Sequence, residues 1–330
     1  MRRITIPGGI FKSMKAYLLF LSLILIGNAH ADDLHCTEDV SGKYAGPMFD
    51  AMAQIESGKY GTVISALNES GVYRMALFAR LHKKRNGEST VIALKSEVPL
   101  KIIMGTPKPF DQRGDLSDSF VRQTMNRLSD KNYQFIGEIL FAHADKSHGE
   151  QSATGERYVS PSGENVIKFF TALENLNIPV MVHWEVYDWN RDWPEFHALY
   201  SRFPKIIFIW PHAGFASADQ VGAVLSSHAN VMITLSKKEK DQQALSSEEK
   251  EIMLGESIVD NCGRLLPEWR KLIEMYPDRF MFATDAHKDF RWKKYAKVVE
   301  QWRGILGQLS APVAQALAWR NAERIYGAPH

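Results

Sequence analysis

Four residues able to bind a metal ion or carry a proton stand where apolar runs stop. His183 ends the run PVMVHWE, His212 lies in IIFIWPHAGF, Asp285 in RFMFATDAH, and Glu138 in FIGEI. Neutral imidazole and carboxylate are donors that Zn²⁺ and similar ions accept, and a catalytic site of this type keeps one position open for water. The ion lowers the pKa of that water toward about 7 and polarises a carbonyl. A nearby aspartate can then take the released proton. A lone buried histidine is commonly a satisfied core residue. Two histidines and an aspartate, each at the end of an apolar run, point instead to hydrolysis. Further ligand candidates are weaker: Asp285 and His287 share a face only if the strand continues through His287, and His143 and His148 have no standard ligand spacing.

For these residues to meet, the chain must bring distant strand ends to one place. Short apolar runs alternate with helical patterns from residue 47 onward, which is the sign of repeated βα units. The expected strands are Met48–Gln54, Val72–Ala79, Leu100–Thr106, Gln134–Ile139, Ile178–His183, Ile206–Trp210, Val231–Leu235 and Arg279–Thr284. Several are almost wholly apolar, as suits parallel strands buried on both faces. No glycine-rich phosphate loop follows any of them, so an open nucleotide-binding sheet loses its main support. A closed α/β barrel of the (β/α)₈ type is expected over 47–330, with additional C-terminal helices over 292–309 and 312–325. Three long connections, 107–118, 142–165 and 237–261, leave carboxyl ends of strands, the face where barrel active sites form.

The chain has 330 residues, with 40 Lys and Arg against 38 Asp and Glu and a formal net charge of +2. Arg2, Arg3, Lys12 and Lys15 supply +4 without any acid before residue 32, which leaves the remainder at −2. Such a body carries no electrostatic footprint for nucleic acid. The basic start leads into AYLLFLSLILIG and then Ala29-His30-Ala31, the pattern of a secretory signal peptide cleaved after Ala31. The apolar run is too short for a bilayer span, which takes about 20 residues. The expectation is therefore a signal peptide at 1–31, an N-terminal extension at 32–46, a periplasmic or secreted location, and no membrane association after cleavage. Cys36 and Cys262 are the only cysteines; in an oxidising compartment they could form a disulfide or stay as separate thiols.

The run of PVMVHWE, IWPHAGF, PDRFMFATDAH and WRNAERIYG, in this order, resembles the amidohydrolase superfamily, in particular the amidohydrolase-related branch that includes aminocarboxymuconate-semialdehyde decarboxylase relatives. The resemblance spans about residues 47–327 and implies a distorted barrel with a metal site at the carboxyl ends of its strands. It implies that His183 is a metal ligand, that His212 binds or polarises substrate, and that Asp285 is the acid or base and a ligand. The closing WRNAERIYG segment is implied to be structural. The family's first strand normally ends in FDAHxH, whereas this chain has FDAMAQ, with Met52 and Gln54 in place of both histidines. A thioether is a poor Zn²⁺ partner and a carboxamide a weak neutral one.

Three readings follow. In the first, a metal is kept by an altered ligand set drawn from Glu138, His183, His212 and Asp285, with His143 or His287 as recruits and Glu138 completing the site of His183 and Asp285, holding one Zn²⁺, Mn²⁺ or Mg²⁺ ion. In the second, Asp285 activates water without a metal while His212 and nearby cations stabilise the oxyanion. In the third, a non-catalytic descendant binds a small molecule in the old pocket. Decarboxylation is the catalytic alternative to hydrolysis. Trp184 and Trp210 sit beside the proposed ligands, as core packing or as the wall of a substrate-binding pocket. The expected partner is a small carbonyl-containing substrate.

Overall fold

The computed structural model describes residues 42–56, 58–82, 85–109, 114–143, 157–236, 258–260, 262–287 and 289–327. The expected signal peptide at 1–31, Cys36, His148 and most of the long connections after Ala142 and after Ser236 lie outside the described residues.

Among the described residues there are ten strands: β1 (Met48–Ile55), β2 (Val72–His82), β3 (Arg85–Asn86), β4 (Ile102–Lys108), β5 (Tyr133–His143), β6 (Arg157–Tyr158), β7 (Val180–Trp184), β8 (Phe208–Trp210), β9 (Val231–Ser236) and β10 (Phe280–Ala283). Eight of them run parallel in the order β1-β2-β4-β5-β7-β8-β9-β10, while β3 and β6 add short antiparallel pairs to β2 and β5. This is the expected (β/α)₈ barrel, and each of the eight anticipated strands is found within a few residues of its expected bounds. No continuous ladder joins β1 to β10. That seam is closed by a parallel bridge between Ala53 and Ala286 and by backbone bonds from Asp285 N to Met52 O (3.0 Å) and from Gln54 N to Ala286 O (2.8 Å).

Helices fill the crossovers, and their starts follow local chemistry. Ser117 accepts from Phe120 N at the head of Asp118–Leu128, and Ser217 forms a capping box with Gln220 at the head of Ala218–Ser227. Pro267 opens Pro267–Met275, where its missing N–H costs nothing. The C-terminal helices differ from expectation in their breaks. The first divides into Asp289–Lys293 and Tyr295–Gly307, and the second runs as Ala311–Gln315, a π turn at Ala316–Arg320, and Asn321–Tyr326. Among the described residues no helix is long and apolar enough to cross a membrane.

The apolar residues divide into two layers. Strands and helices bury one large cluster between them. A second cluster fills the barrel interior, drawing Phe49, Ala76, Ile103, Phe135, Met181, Ile209, Met232 and Met281 from the eight barrel strands. Tyr326 joins this interior core from the last helix and donates its hydroxyl to Ala51 O at 2.9 Å. The WRNAERIYG segment is therefore structural: Asn321 donates to Pro277 O and Phe280 O, and Glu323 accepts from Tyr73 and Arg74.

Candidate metal centre

Side chains alternate along a strand, so the residue two beyond an interior position again faces inward. Met181 is interior and His183 follows it by two; Ala283 is interior and Asp285 follows by two. On β1 the pairing register shifts between Asp50 and Ala53, a bulge that keeps Met52 in the interior core and carries Gln54 to the site. Glu138 comes from β5, whose register with β7 also shifts at this level. Glu138, His183, His212 and Asp285 are all buried.

His212 is aimed by an unusual turn. After β8, residues His212, Ala213, Gly214 and Phe215 all have positive φ, at 57°, 51°, 59° and 59°. A left-handed turn costs about 1–2 kcal/mol for each residue with a Cβ, so the surroundings must hold it. His212 N donates to Thr234 Oγ1 (3.2 Å), Val186 N donates to Gly214 O (2.8 Å), and Gly214 lies flat against the Trp210 indole. Asp285 also has a positive φ, 48°, where the chain turns out of β10.

Glu138, His183 and His212 each offer one ligand atom, and the three atoms lie within 4.8 Å of one another. His183 Nδ1 is 2.7 Å from Glu138 Oε1, yet it is buried and makes no hydrogen bond, so the contact lacks the in-line geometry of one. His212 Nε2 is 3.9 Å from Glu138 Oε1 and 3.7 Å from Asp285 Oδ2, while its Nδ1 is 2.7 Å from Ser236 Oγ. A glutamate and two histidines with an orphaned imidazole nitrogen are a donor set that suits a divalent ion, with one position left for water. Of the four residues from which a ligand set was expected, Glu138, His183 and His212 form this group of three and Asp285 stands outside it.

The other carboxylate oxygens are engaged by protein. Lys108 pairs with Glu138 Oε2, and Arg291 donates to Asp285 Oδ2 at 2.8 Å. Gln54 Nε2 donates to Asp285 Oδ1 at 2.8 Å and to Glu138 Oε2 at 3.4 Å, leaving its own buried Oε1 without a partner. Burial by itself would raise both carboxyl groups. Lys108 and His183 hold Glu138 well below the ordinary carboxylate range, and His212, His287 and Arg291 do the same for Asp285. Burial also opposes a charge on His183, but Glu138 and Glu185 outweigh it and raise that imidazole. Both acids therefore stand as carboxylates.

His287 Nδ1 lies 2.9 Å from Asp285 O and 3.6 Å from Asp285 Oδ1, beside the site but not in the ligand group. His143 stacks on His183 with ring centroids 5.8 Å apart. Trp184 and Trp210 are fully buried and stacked at 4.5 Å, with their indole N–H groups donated to Tyr200 Oη and Trp184 O. Their rings pack the core beneath the site and expose no wall to a substrate. Sequence reasoning assigned no role to Lys108, Glu185 or Arg291. Glu185 carried a signal in the motif PVMVHWE, two residues past His183; Arg291 and Lys108 carried none beyond charge near a strand end.

Residues 142–328 match the amidohydrolase family. The chain belongs to this family. Among solved structures, this amidohydrolase is similar to a probable 2-pyrone-4,6-dicarboxylic acid hydrolase from Acinetobacter baumannii with citric acid bound, at 10% identity and a TM-score of 0.55 over 85% of this chain and 99% of that one. It is similar to an amidohydrolase from Burkholderia multivorans with bound zinc, at 15% identity and 0.50 over 86% and 100%. A TIM-barrel protein from Bordetella bronchiseptica gives 12% identity and 0.51 over 80% and 81%. At these identities the likeness is one of fold. No curated protein matches the sequence.

Proposed function

We propose that this amidohydrolase-family protein is an exported hydrolase of a small carbonyl-containing substrate, with Glu138, His183 and His212 holding one divalent ion. The observation that carries this reading is the convergence of three donor atoms within 4.8 Å, with the buried His183 Nδ1 facing Glu138 Oε1 at 2.7 Å outside hydrogen-bond geometry. A divalent ion held there supplies Lewis acidity toward a carbonyl and toward water. Zn²⁺ suits a set with two imidazoles, while the carboxylate admits Mn²⁺ or Mg²⁺.

The chain's own residues complete the chemistry. Asp285 is kept as a carboxylate at pH 7 by His212, His287 and Arg291 despite burial, which is the ionised form that a general base requires. Gln54 and Arg291 fix both of its oxygens, and the Oδ2 side also faces His212 Nε2. His212 Nε2 faces the two carboxylates while its Nδ1 is held by Ser236 Oγ, so Nε2 is the nitrogen the ring would offer to the ion. The zinc bound to the Burkholderia protein and the citric acid bound to the Acinetobacter protein are in keeping with a metal-assisted site for a small molecule.

One arrangement favours a metal-independent variant of the same hydrolysis. Lys108 and Arg291 already match Glu138 and Asp285 charge for charge, so protein cations alone balance the site. Elemental analysis of protein purified from the periplasm without chelators, beside His183→Ala, separates the two. About one equivalent of divalent metal in the native protein, lost in the variant, is expected for a three-ligand site. No metal in either protein overturns the metal-dependent reading. Accumulation of the uncleaved protein in the cytoplasm would overturn export.

A further inference from the structure

The unpartnered nitrogen of His183 raises the question of what sets the ring's tautomer, and the answer lies one residue beyond β7. His183 Nε2 is 3.3 Å from Glu185 Oε1, and Glu185 is only 3% exposed. The two residues are separated by Trp184 on extended backbone, so both side chains leave the same face. Glu185 is held firmly by its main chain. Its N–H donates to Ala142 O at 3.0 Å, on the strand that carries Glu138, and the next N–H, of Val186, donates to Gly214 O at 2.8 Å in the turn that carries His212. The His143 ring stacks over His183, and its Nε2 comes within 3.7 Å of the same Glu185 oxygen.

We propose that Glu185 is a positioning residue, a buried acceptor that keeps the His183 proton on Nε2 and so presents Nδ1 as a bare lone pair toward Glu138 and His212. This rests on the reading of those three residues as the metal group. A neutral imidazole has one N–H and one lone pair, and a carboxylate beside Nε2 accepts only. Carboxylates face both nitrogens of the ring, but only Glu185 meets its nitrogen in hydrogen-bond geometry, whereas the 2.7 Å contact of Nδ1 with Glu138 Oε1 does not; the proton is thereby assigned to Nε2, and Nδ1 is the donor atom left for an ion. The contact at His212 Nδ1 is of a different kind. That nitrogen meets the Ser236 hydroxyl, which can give or take a proton, so that contact orients the ring without choosing the tautomer.

The test is Zn²⁺ affinity, measured by competition with a chromophoric chelator, for the native protein, Glu185→Gln and Glu185→Leu, together with long-range ¹H–¹⁵N NMR of the His183 ring in the zinc-loaded protein. Carboxylate partners of ligating histidines are worth roughly 10- to 100-fold in metal affinity, which is the loss expected for Glu185→Leu. Glu185→Gln keeps an oxygen acceptor for the same N–H and should stay within roughly fivefold of native, well inside that loss. The NMR pattern should show Nε2 protonated and Nδ1 on the metal. Native affinity in Glu185→Leu, or a proton on Nδ1, overturns the proposal. If neither the native protein nor His183→Ala binds zinc, the metal reading fails by itself. The ring's tautomer, read in the zinc-free protein at alkaline pH where the imidazole is neutral, then still decides the role of Glu185.

Discussion

The carboxamide of Gln54 reaches both acids of the site, Asp285 Oδ1 at 2.8 Å and Glu138 Oε2 at 3.4 Å, and so ties the first barrel strand to the fourth and the last. Only one orientation of the amide permits this, because an oxygen turned toward two carboxylates would repel both. Replacing Gln54 by leucine removes both donors and should destabilise the zinc-free protein by about 1–3 kcal/mol, the cost of leaving buried acceptors unpaired. Gln54→Glu keeps the shape but adds a third carboxylate, so it should cost more than leucine in the absence of metal and recover more stability than the native protein when Zn²⁺ is added. Urea denaturation with and without ZnCl₂ checks this. A glutamate variant as stable as the leucine variant would mean that the amide does not stand between the two charges.

Asp50 lies fully buried at the β1–β10 seam, where it accepts hydrogen bonds from Met52 N, Thr284 N, Thr284 Oγ1 and Tyr295 Oη at 3.1, 3.0, 2.6 and 2.8 Å. Burial pushes its carboxyl up to about 6 despite these four donors. The folded protein therefore holds this proton more tightly than the unfolded chain does. The stabilisation is fully present below the ordinary aspartate value and is lost as pH rises through about 6, with a total of about 3 kcal/mol. Asp50→Asn should abolish this fall, since both neighbouring hydroxyls can turn to accept from the amide. Denaturation midpoints from pH 4 to 7 are the measurement, and an unchanged slope in the variant would remove Asp50 from the account.

His228 acts in the opposite sense. It is buried behind His197, to which its Nε2 comes within 2.9 Å, and burial with the neighbouring His197 and Arg279 lowers its pKa to about 4. Its stabilisation is present above the ordinary histidine value and is lost as pH falls through about 4. Over the same range the Asp50 and His228 contributions oppose each other, so the native protein should show a shallow pH response. His228→Gln should uncover the Asp50 slope and become less stable with rising pH, and Asp50→Asn should uncover the reverse. Two variants with slopes of the same sign would contradict this pairing.

Gly214 occupies the middle of the left-handed turn, and a Cβ placed there would come within 2.2 Å of the Trp210 ring. Trp210 cannot retreat, because it is stacked on Trp184 and fully buried. Gly214→Ala should therefore cost about 2–4 kcal/mol, from the positive φ and from overpacking together. It should also weaken Zn²⁺ binding, because the His212 ring is carried by the same turn. Thermal denaturation and metal titration report the two effects separately. A variant with native stability would show that the turn relaxes freely.

Much of the architecture was legible because each barrel strand is a short apolar run ending in a polar residue, as in IIFIW before Pro211 and FMFA before Thr284. The same rule exposed His183, His212, Asp285 and Glu138. What stayed hidden depends on register and on partners far apart in sequence. Met52 and Gln54 looked like two lost ligands, but the bulge between Asp50 and Ala53 gives them different fates, one in the core and one as a donor to both acids. Lys108 and Arg291 become site residues only when the barrel brings β4 and the helix after β10 beside β5. Trp184 and Trp210 flank the ligands in sequence but face the other side of their strands. The left-handed conformation of His212 and Ala213 left no mark in the sequence apart from Gly214.

The barrel closes between its first and last strands through Asp50, Gln54, Thr284 and Asp285, not through a continuous ladder. The first and last strands of the barrel thus share a single polar junction. Until β10 has left the ribosome, the carboxylate of Asp50 lacks Thr284 and Tyr295, and Gln54 lacks the acid that anchors it. A chain that stops before β10 therefore keeps Glu138, His183 and His212 on its strands but lacks Asp285 and Arg291, and its first strand loses the partners that fix Asp50 and Gln54.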